Sequence, residues 1–302
     1  MLDIAIIGGG PAGLTAGLYA MRGGAEVALF EEMFTGGQIV KTHRIDNYPG
    51  FSDGPDGYEL AARFETHAQK FGLPIRYEGV DKLTLSDGRK TLFVGGEPIE
   101  AKTVILCMGA NPRVLDVEGE QRLTGRGVSY CATCDGAFFK DRVATVIGGG
   151  DTAISDALYL SNLCKQVYVV HRRDALRASA VLPRAAFAAA NITFLWDSVP
   201  LAFLGETDLR GIRLKNVKTN IETTLDTDGA FVAVGVVPRT DLVTGQVAFS
   251  KDGSIVTDAH LETNVKGVFA AGDIRTTPLR QVVTACADGA IAATYALEAA
   301  KA

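Results

Sequence analysis

The sequence predicts an α/β protein built from two Rossmann-like, dinucleotide-binding domains, the second inserted into the first. Three observations predict it. A glycine-rich fingerprint follows a short apolar run at Gly8 and again at Gly148. Each fingerprint leads into a helical stretch and a second apolar run. A further apolar strand ending in Gly-Asp, residues 268–273 (VFAAGD), comes only after the second unit is finished and needs an existing sheet to join. Strand–glycine turn–helix–strand units of this kind build parallel, doubly wound sheets.

In chain order, residues 3–7 (DIAII) form the first strand and end in GGGPAG. Residues 14–22 read as its helix, and residues 25–30 (AEVALF) as the next strand, which ends at Glu31. The unit recurs as a strand at 142–147 (RVATVI), the turn GGGDTA, a helix near 154–162 and a strand at 166–170 (QVYVV). An Ala-rich helix over 281–297 follows the late Gly-Asp strand. Residues 113–244 are therefore expected as the inserted domain, with 1–112 and 245–302 as the discontinuous first domain. Asn111-Pro112-Arg113 and Val237-Pro238-Arg239 fit as linkers, each following a strand that ends in glycine.

Size and charge narrow the function. The length of 302 residues suits two domains. With 47% apolar and 22% charged residues the chain can bury an ordinary core. A net charge of -5 leaves no basic footprint for nucleic acid. No apolar run in the sequence reaches the roughly 18 residues of a membrane span. The N-terminus enters a strand without a basic leader, so a cytoplasmic, non-membrane protein is expected. Five cysteines do not make a disulfide scaffold at this length. A structural zinc needs four Cys or His ligands, usually in short-spaced pairs, and there is one pair only, so no metal is expected. Cys107, Cys164 and Cys286 are scattered through apolar segments and read as small hydrophobes.

In the first fingerprint, Gly8 allows a tight turn, Gly10 lets the backbone approach a pyrophosphate, and Gly13 lets helix pack on strand. The helix N-terminus favours the diphosphate charge. Glu31, about 20 residues on, is placed to accept hydrogen bonds from ribose hydroxyls, which favours FAD or NAD over NADP. In the second, Gly148, Gly150 and Ala153 make the accepted G-x-G-x-x-A variant. Its acid position carries Arg172, within His171-Arg172-Arg173-Asp174-Ala175-Leu176-Arg177. Guanidinium groups bind phosphate bidentately, so a 2′-phosphate, and hence NADPH, is the natural ligand. Arg172 and Arg173 would point to opposite faces if the strand continued through them.

Between the fingerprints lies CATC, Cys131 to Cys134, with Asp135 next. A CxxC in a reducing compartment is more often catalytic or metal-binding than a staple. Such motifs can lower a thiol pKa, and Asp135 is the obvious carboxyl to shuttle a proton. Two dinucleotide sites flanking a dithiol suggest electrons passing between cofactors and on to a disulfide.

Over essentially its whole length the chain resembles the low-molecular-weight thioredoxin reductases of bacteria, of the class-II pyridine nucleotide-disulfide oxidoreductase family. The resemblance rests on GGGPAG (8–13), GGQ (36–38), IDNYPGF (45–51), CATCDG (131–136), GGGDTA (148–153), HRRDALRA (171–178), GDIR (272–275) and PLRQVVTACADGAIAA (278–293). It implies an NADPH-dependent thioredoxin-disulfide reductase acting as a homodimer. FAD would lie on Gly8, Gly10, Pro11, Ala12, Gly13, Glu31, Thr35, Gly36, Gly37, Gln38, Asn47, Gly272, Asp273, Arg280, Gln281 and Val282. Of these, Asp273 would bind the ribityl chain, and Arg280, Gln281 and Val282 would lie along the flavin ring. NADPH would lie on Gly148, Gly150, Asp151, Thr152, Ala153, His171, Arg172, Arg173 and Arg177. Cys134 would face the flavin, Cys131 would attack thioredoxin, and Asp135 would be the acid–base. Cys107-Met108-Gly109 replaces a common Ala-Thr-Gly, and Ala137 stands where an aromatic is frequent, leaving Phe138 and Phe139 as core or as docking residues. Rival readings are a reductase of the same fold with ferredoxin as donor or another thioredoxin-like acceptor, and a non-enzymatic FAD and NADP redox sensor. HRRDALR argues against the ferredoxin donor, and CATC with Asp135 against the sensor.

Overall fold

The computed structural model describes residues 1–42, 45, 47–86, 89–178 and 181–301; Asp46 of the IDNYPGF motif lies outside them. The chain divides into two compact units, Met1–Asn111 with Val237–Ala302, and Pro112–Val236.

The first unit opens with β1 (Leu2–Ile7), α1 (Pro11–Arg22), β2 (Val27–Phe30), α2 (Gly57–Lys70) and β3 (Ile75–Arg76). β4 (Lys82–Ser86), β5 (Arg89–Val94) and β6 (Glu97–Leu106) follow, and then β7 (Ala110–Pro112). The second unit holds α3 (Glu120–Leu123), β8 (Val128–Ser129), α4 (Ala132–Asp135), β9 (Val143–Ile147), α5 (Asp151–Ser161) and β10 (Gln166–Val170). It continues with α6 (Val181–Ala188), β11 (Ile192–Leu195), β12 (Ser198–Leu204), β13 (Gly211–Asn216), β14 (Glu222–Asp226) and β15 (Gly229–Val232). β16 (Val236–Pro238) leads back, and β17 (Val268–Ala270) and α7 (Val282–Lys301) complete the first unit.

The two units repeat one plan. In the first, β1 lies parallel between β2 and β6, β3 extends the sheet beyond β2, and β17 pairs with β6. In the second, β9 lies parallel between β10 and β15, flanked by β11 and β8. Each sheet reverses its strand order at the central strand, so a crevice opens at the carboxyl ends of β1 and β9, where both glycine turns stand. Each unit also carries an antiparallel meander, β4-β5-β6 in one and β12-β13-β14 in the other.

The central strands are apolar because both faces are covered. In the first unit Ile4, Ile6 and Ile105 pack with Ala16, Ala20, Ala292 and Ala296 on one side. Ala5, Ile7, Val104 and Leu106 pack with Leu83, Leu92 and Val243 on the other. α7 is long and apolar enough by composition to cross a membrane, which the sequence reading did not find. Its small residues Ala285, Ala292, Ala293 and Ala296 are buried in the first unit's core with Ala12, Ala16 and Ala20 of α1.

Three boundaries differ from the sequence expectation. The second unit ends at Val236, not near residue 244, because Val243 is fully buried in the first unit's core. α1 and α5 begin three residues early, at Pro11 and Asp151. Proline suits the first helical position, where no amide hydrogen is needed, and an acid there complements the helix dipole.

Candidate active site: two nucleotide cradles and a dithiol

The glycines of both fingerprints sort into structural and open positions. Gly8 has φ 105, and a Cβ on it would strike the Cys107 carbonyl oxygen. A Cβ on Gly13 would strike the Gly8 carbonyl oxygen, so helix and turn are in contact there. Around Gly10, in contrast, a Cβ would meet nothing within 4 Å. The second unit repeats this: Gly148 lies against the Ala233 carbonyl, Ala153 is fully buried beneath it, and Gly150 is open. Open backbone at the second glycine, facing a helix N-terminus, is what a diphosphate needs. The residues of both turns therefore fit a dinucleotide.

Other residues of the first unit gather around its turn. Gly9 N–H donates to Glu31 Oε2 at 2.7 Å, and Met33 N–H to Glu31 Oε1 at 3.2 Å. The carboxylate thus braces the glycine loop and keeps lone pairs for a ribose. Gly36 N–H donates to the Gly9 carbonyl at 2.8 Å, and a Cβ on Gly37 would stand 3.4 Å from Gly10 Cα. Thr35 is buried and bonds Glu65 at 2.5 Å. Gln38 donates to Asn111 at 2.6 Å, and Asn47 to Gln281 at 2.9 Å. A Cβ on Gly272 would lie 3.0 Å from Ala12 Cβ. Burial raises the pKa of Asp273, Arg280 opposes the rise and Asp288 adds to it. Its carboxylate accepts no hydrogen bond among the described residues, so it is free to take hydroxyls. Arg280 is steered by the Asp273 carbonyl at 3.4 Å and Ser254 Oγ at 3.2 Å. Val282 opens α7.

Sequence reasoning missed the brace beneath Asp273. Asp288 accepts from Gly272 N at 3.0 Å and from Arg275 through Nε and Nη2, both at 2.7 Å. This buried, bidentate pair fixes the Gly272-Asp273 turn. Its partners stand thirteen positions apart across a loop and a helix, so no local pattern announces it.

In the second unit β10 ends at Val170, as the sequence reading placed it, so Arg172 and Arg173 lie beyond the strand in a bent segment, residues 171–178. The reason is His171. It is 4% exposed, its ring lies against Gly149, and its Nε2 is 3.1 Å from the Ala175 carbonyl oxygen. Burial first, and then the charges of Arg177, Arg172 and Arg173, lower its pKa, while the Ala175 contact opposes them. The neutral ring pins the loop over the glycine turn. Arg172, Arg173 and Arg177 are all exposed, and their guanidinium groups have no hydrogen-bond or ion-pair partner among the described residues, although the Arg177 amide donates to the Gly149 carbonyl at 2.7 Å. Asp151 and Thr152 are exposed in the first turn of α5.

Cys131 and Cys134 are joined as a disulfide with Cα atoms 5.3 Å apart. Cys134 and Asp135 lie on α4, and Cys131 immediately precedes it. Asp135 accepts from Ser129 Oγ at 2.6 Å. Tyr130 donates to buried Glu120 at 2.8 Å, and Glu120 also accepts the Leu115 and Asp116 amides. Phe139 packs edge-on against Phe231 at 5.4 Å, Phe138 is exposed, and Ala137 is exposed. Burial raises the pKa of Cys107, and it pushes the Cys164 thiol to about 11, so neither competes as a nucleophile. No metal-binding group of His, Cys, Asp or Glu occurs among the described residues.

Two dinucleotide cradles and a closed dithiol are the working parts of a nucleotide-dependent disulfide oxidoreductase. The profile of the family described as pyridine nucleotide-disulphide oxidoreductase matches residues 2–289, and this chain belongs to that family. A thioredoxin reductase of Peptoclostridium acidaminophilum is 45% identical over 302 residues, covering 97% of this chain and 95% of that one. The solved thioredoxin reductase from Streptococcus pyogenes MGAS5005 is 43% identical, covers 100% of this chain and 98% of its own, and superposes with a TM-score of 0.92. The Lactococcus lactis thioredoxin reductase in its FR conformation is 38% identical, covers 100% and 99%, and gives a TM-score of 0.70.

Proposed function

We propose that this chain carries electrons from NADPH through FAD to its own Cys131–Cys134 disulfide and from that dithiol to thioredoxin. The observation that carries the reading is the closed Cys131–Cys134 pair, with a carboxylate next to it, in a unit whose glycine turn stands under three arginines with guanidinium groups unpartnered among the described residues. Those arginines favour NADPH over a ferredoxin donor, since a ferredoxin needs no phosphate site. The first cradle, with Asp273 and Arg280, would hold FAD, which would supply two-electron chemistry between nucleotide and disulfide.

The chain's own residues handle sulfur and protons. Two electrons break the Cys131–Cys134 bond and leave two thiolates, which take up two protons to become the dithiol. The Cys131 thiol gives its proton to solvent, and the resulting thiolate attacks the thioredoxin disulfide to form a mixed disulfide, releasing one thioredoxin thiolate. The Cys134 thiolate displaces the second and restores the original bond. Asp135 takes the proton as the Cys134 thiol becomes a thiolate and passes it to the departing thioredoxin thiolate, so the carboxylate is ionised again once the Cys131–Cys134 bond has closed. Exposed Phe138 stands near the dithiol as a contact for thioredoxin, whereas Phe139 serves the core. We place the protein in the cytoplasm as a homodimer, without membrane or nucleic-acid partners.

Cys134→Ser tests the relay. NADPH is expected to bleach the bound flavin at the wild-type rate while thioredoxin reduction falls to background. Persistent thioredoxin turnover by this variant would remove the dithiol from the path.

A further inference from the structure

Ser129 ends β8, where it pairs in register with Phe231 of β15, and it is 6% exposed. Its Oγ lies 3.1 Å from the Cys131 backbone nitrogen and 2.6 Å from Asp135 Oδ2. The amide can only donate, so the hydroxyl accepts there and has its one proton left to give. Two acceptors are in reach, Asp135 Oδ2 at 2.6 Å and the Cys131 carbonyl oxygen at 3.4 Å. That carbonyl already accepts the Asp135 amide at 3.1 Å. The shorter contact has the length of a bond from a hydroxyl to an ionised carboxylate.

We infer that Ser129 is a positioning residue for the proton-transfer step: it ties the Asp135 carboxylate to the sheet and holds it as an ionised acceptor beside the closed disulfide. The inference rests on reading Asp135 as the acid–base. A donor to the ionised form favours that form, so Ser129 keeps Asp135 ready to take the proton of the Cys134 thiol. Once the carboxyl is protonated the same bond weakens, which favours passing the proton on. α5, packed against α4, brings Asp151, Asp156 and Tyr159, and the short helix Gly136–Phe139 brings no titratable side chain. Substitution at Ser129 leaves all of these in place, so their contribution is common to every variant compared.

The experiment uses the FAD-loaded enzyme as wild type, Ser129→Ala, Ser129→Thr and Asp135→Asn. Thioredoxin reduction is followed across pH, and flavin bleaching by NADPH is followed on the same samples. Ser129→Ala is expected to move the acidic limb of the thioredoxin profile upward by about one pH unit, roughly a fivefold loss at the wild-type midpoint. Flavin bleaching is expected to be unchanged, and Ser129→Thr to restore the limb. An unmoved limb in Ser129→Ala, with Asp135→Asn clearly altered, would overturn the inference alone. Equal loss of flavin bleaching in Ser129→Ala would also overturn it, since that is what a packing role produces. A wild-type profile in Asp135→Asn would instead remove the acid–base reading itself.

Discussion

The positive surface around Arg172, Arg173 and Arg177 depends on their neighbours as well as on the guanidinium groups themselves. Asp174 sits among them, yet Lys218 binds it at 2.8 Å and binds Asp197 at 3.0 Å. Exposed pairs of this kind add little stability, but here the lysine offsets an acid among the arginines that would repel a phosphate. The loop therefore meets a nucleotide as a positive surface. Arg172→Ala combined with Arg177→Ala is expected to raise the KM for NADPH by roughly tenfold or more per lost charge-assisted bond, with the KM for NADH little changed. Steady-state kinetics with both nucleotides decides this, and an equal rise for both would refute the 2′-phosphate assignment. The arginines were legible in the sequence because they follow a fingerprint at the spacing where an acid is otherwise found. The part played by His171 was not. Its place in the motif suggested a ligand contact, whereas burial against Gly149 makes it the pin that shapes the loop.

Among the elements, β1, β2, β9 and β10 were legible because both faces are covered and their apolar runs are continuous. The meanders were not. β14 is almost wholly exposed and reads Glu-Thr-Thr-Leu-Asp, so neither alternation nor burial marks it in the sequence. α5 was found, but not the conflict it carries. Burial raises the pKa of Asp156 on this helix from 3.8 to about 6. An acid with a raised folded pKa is held more easily protonated in the folded than in the unfolded state. Stability from this group is therefore present below pH 3.8 and declines as pH rises through about 6. Above that the ionised carboxylate opposes folding by about 1–2 kcal/mol, after allowance for its partial exposure. Asp156→Asn is expected to raise the melting temperature by ~2–4 °C per kcal/mol at pH 8, and by less at pH 5. Thermal unfolding at the two pH values measures it; a gain that does not grow with pH would rule out the buried charge as the cause.

At the scale of the whole molecule, insertion of one unit into the other was legible from a single late strand, β17, which has no sheet of its own and pairs with β6. The return linker expected at Val237-Pro238-Arg239 coincides with the crossing at β16, whereas the domain end near residue 244 was set too late, since Val243 is a core residue of the first unit. Insertion leaves two chain crossings between the units, β7 and β16, which pair as a two-stranded ribbon. A ribbon of two short strands can twist without disturbing either core. The proposed chemistry makes that motion useful. The nicotinamide site and the dithiol share one unit while FAD belongs to the other, and Cys131 must also reach a protein as large as thioredoxin. One fixed arrangement cannot serve all three encounters, but rotation about the two crossings can. A short chemical crosslink joining one residue of each unit is therefore expected to preserve either flavin bleaching by NADPH or thioredoxin reduction by pre-reduced enzyme, but not catalytic turnover. Mass spectrometry identifies the joined residues, and cleavage of the linker is expected to restore turnover. Full turnover by an enzyme crosslinked between the units would mean that a single arrangement serves every step.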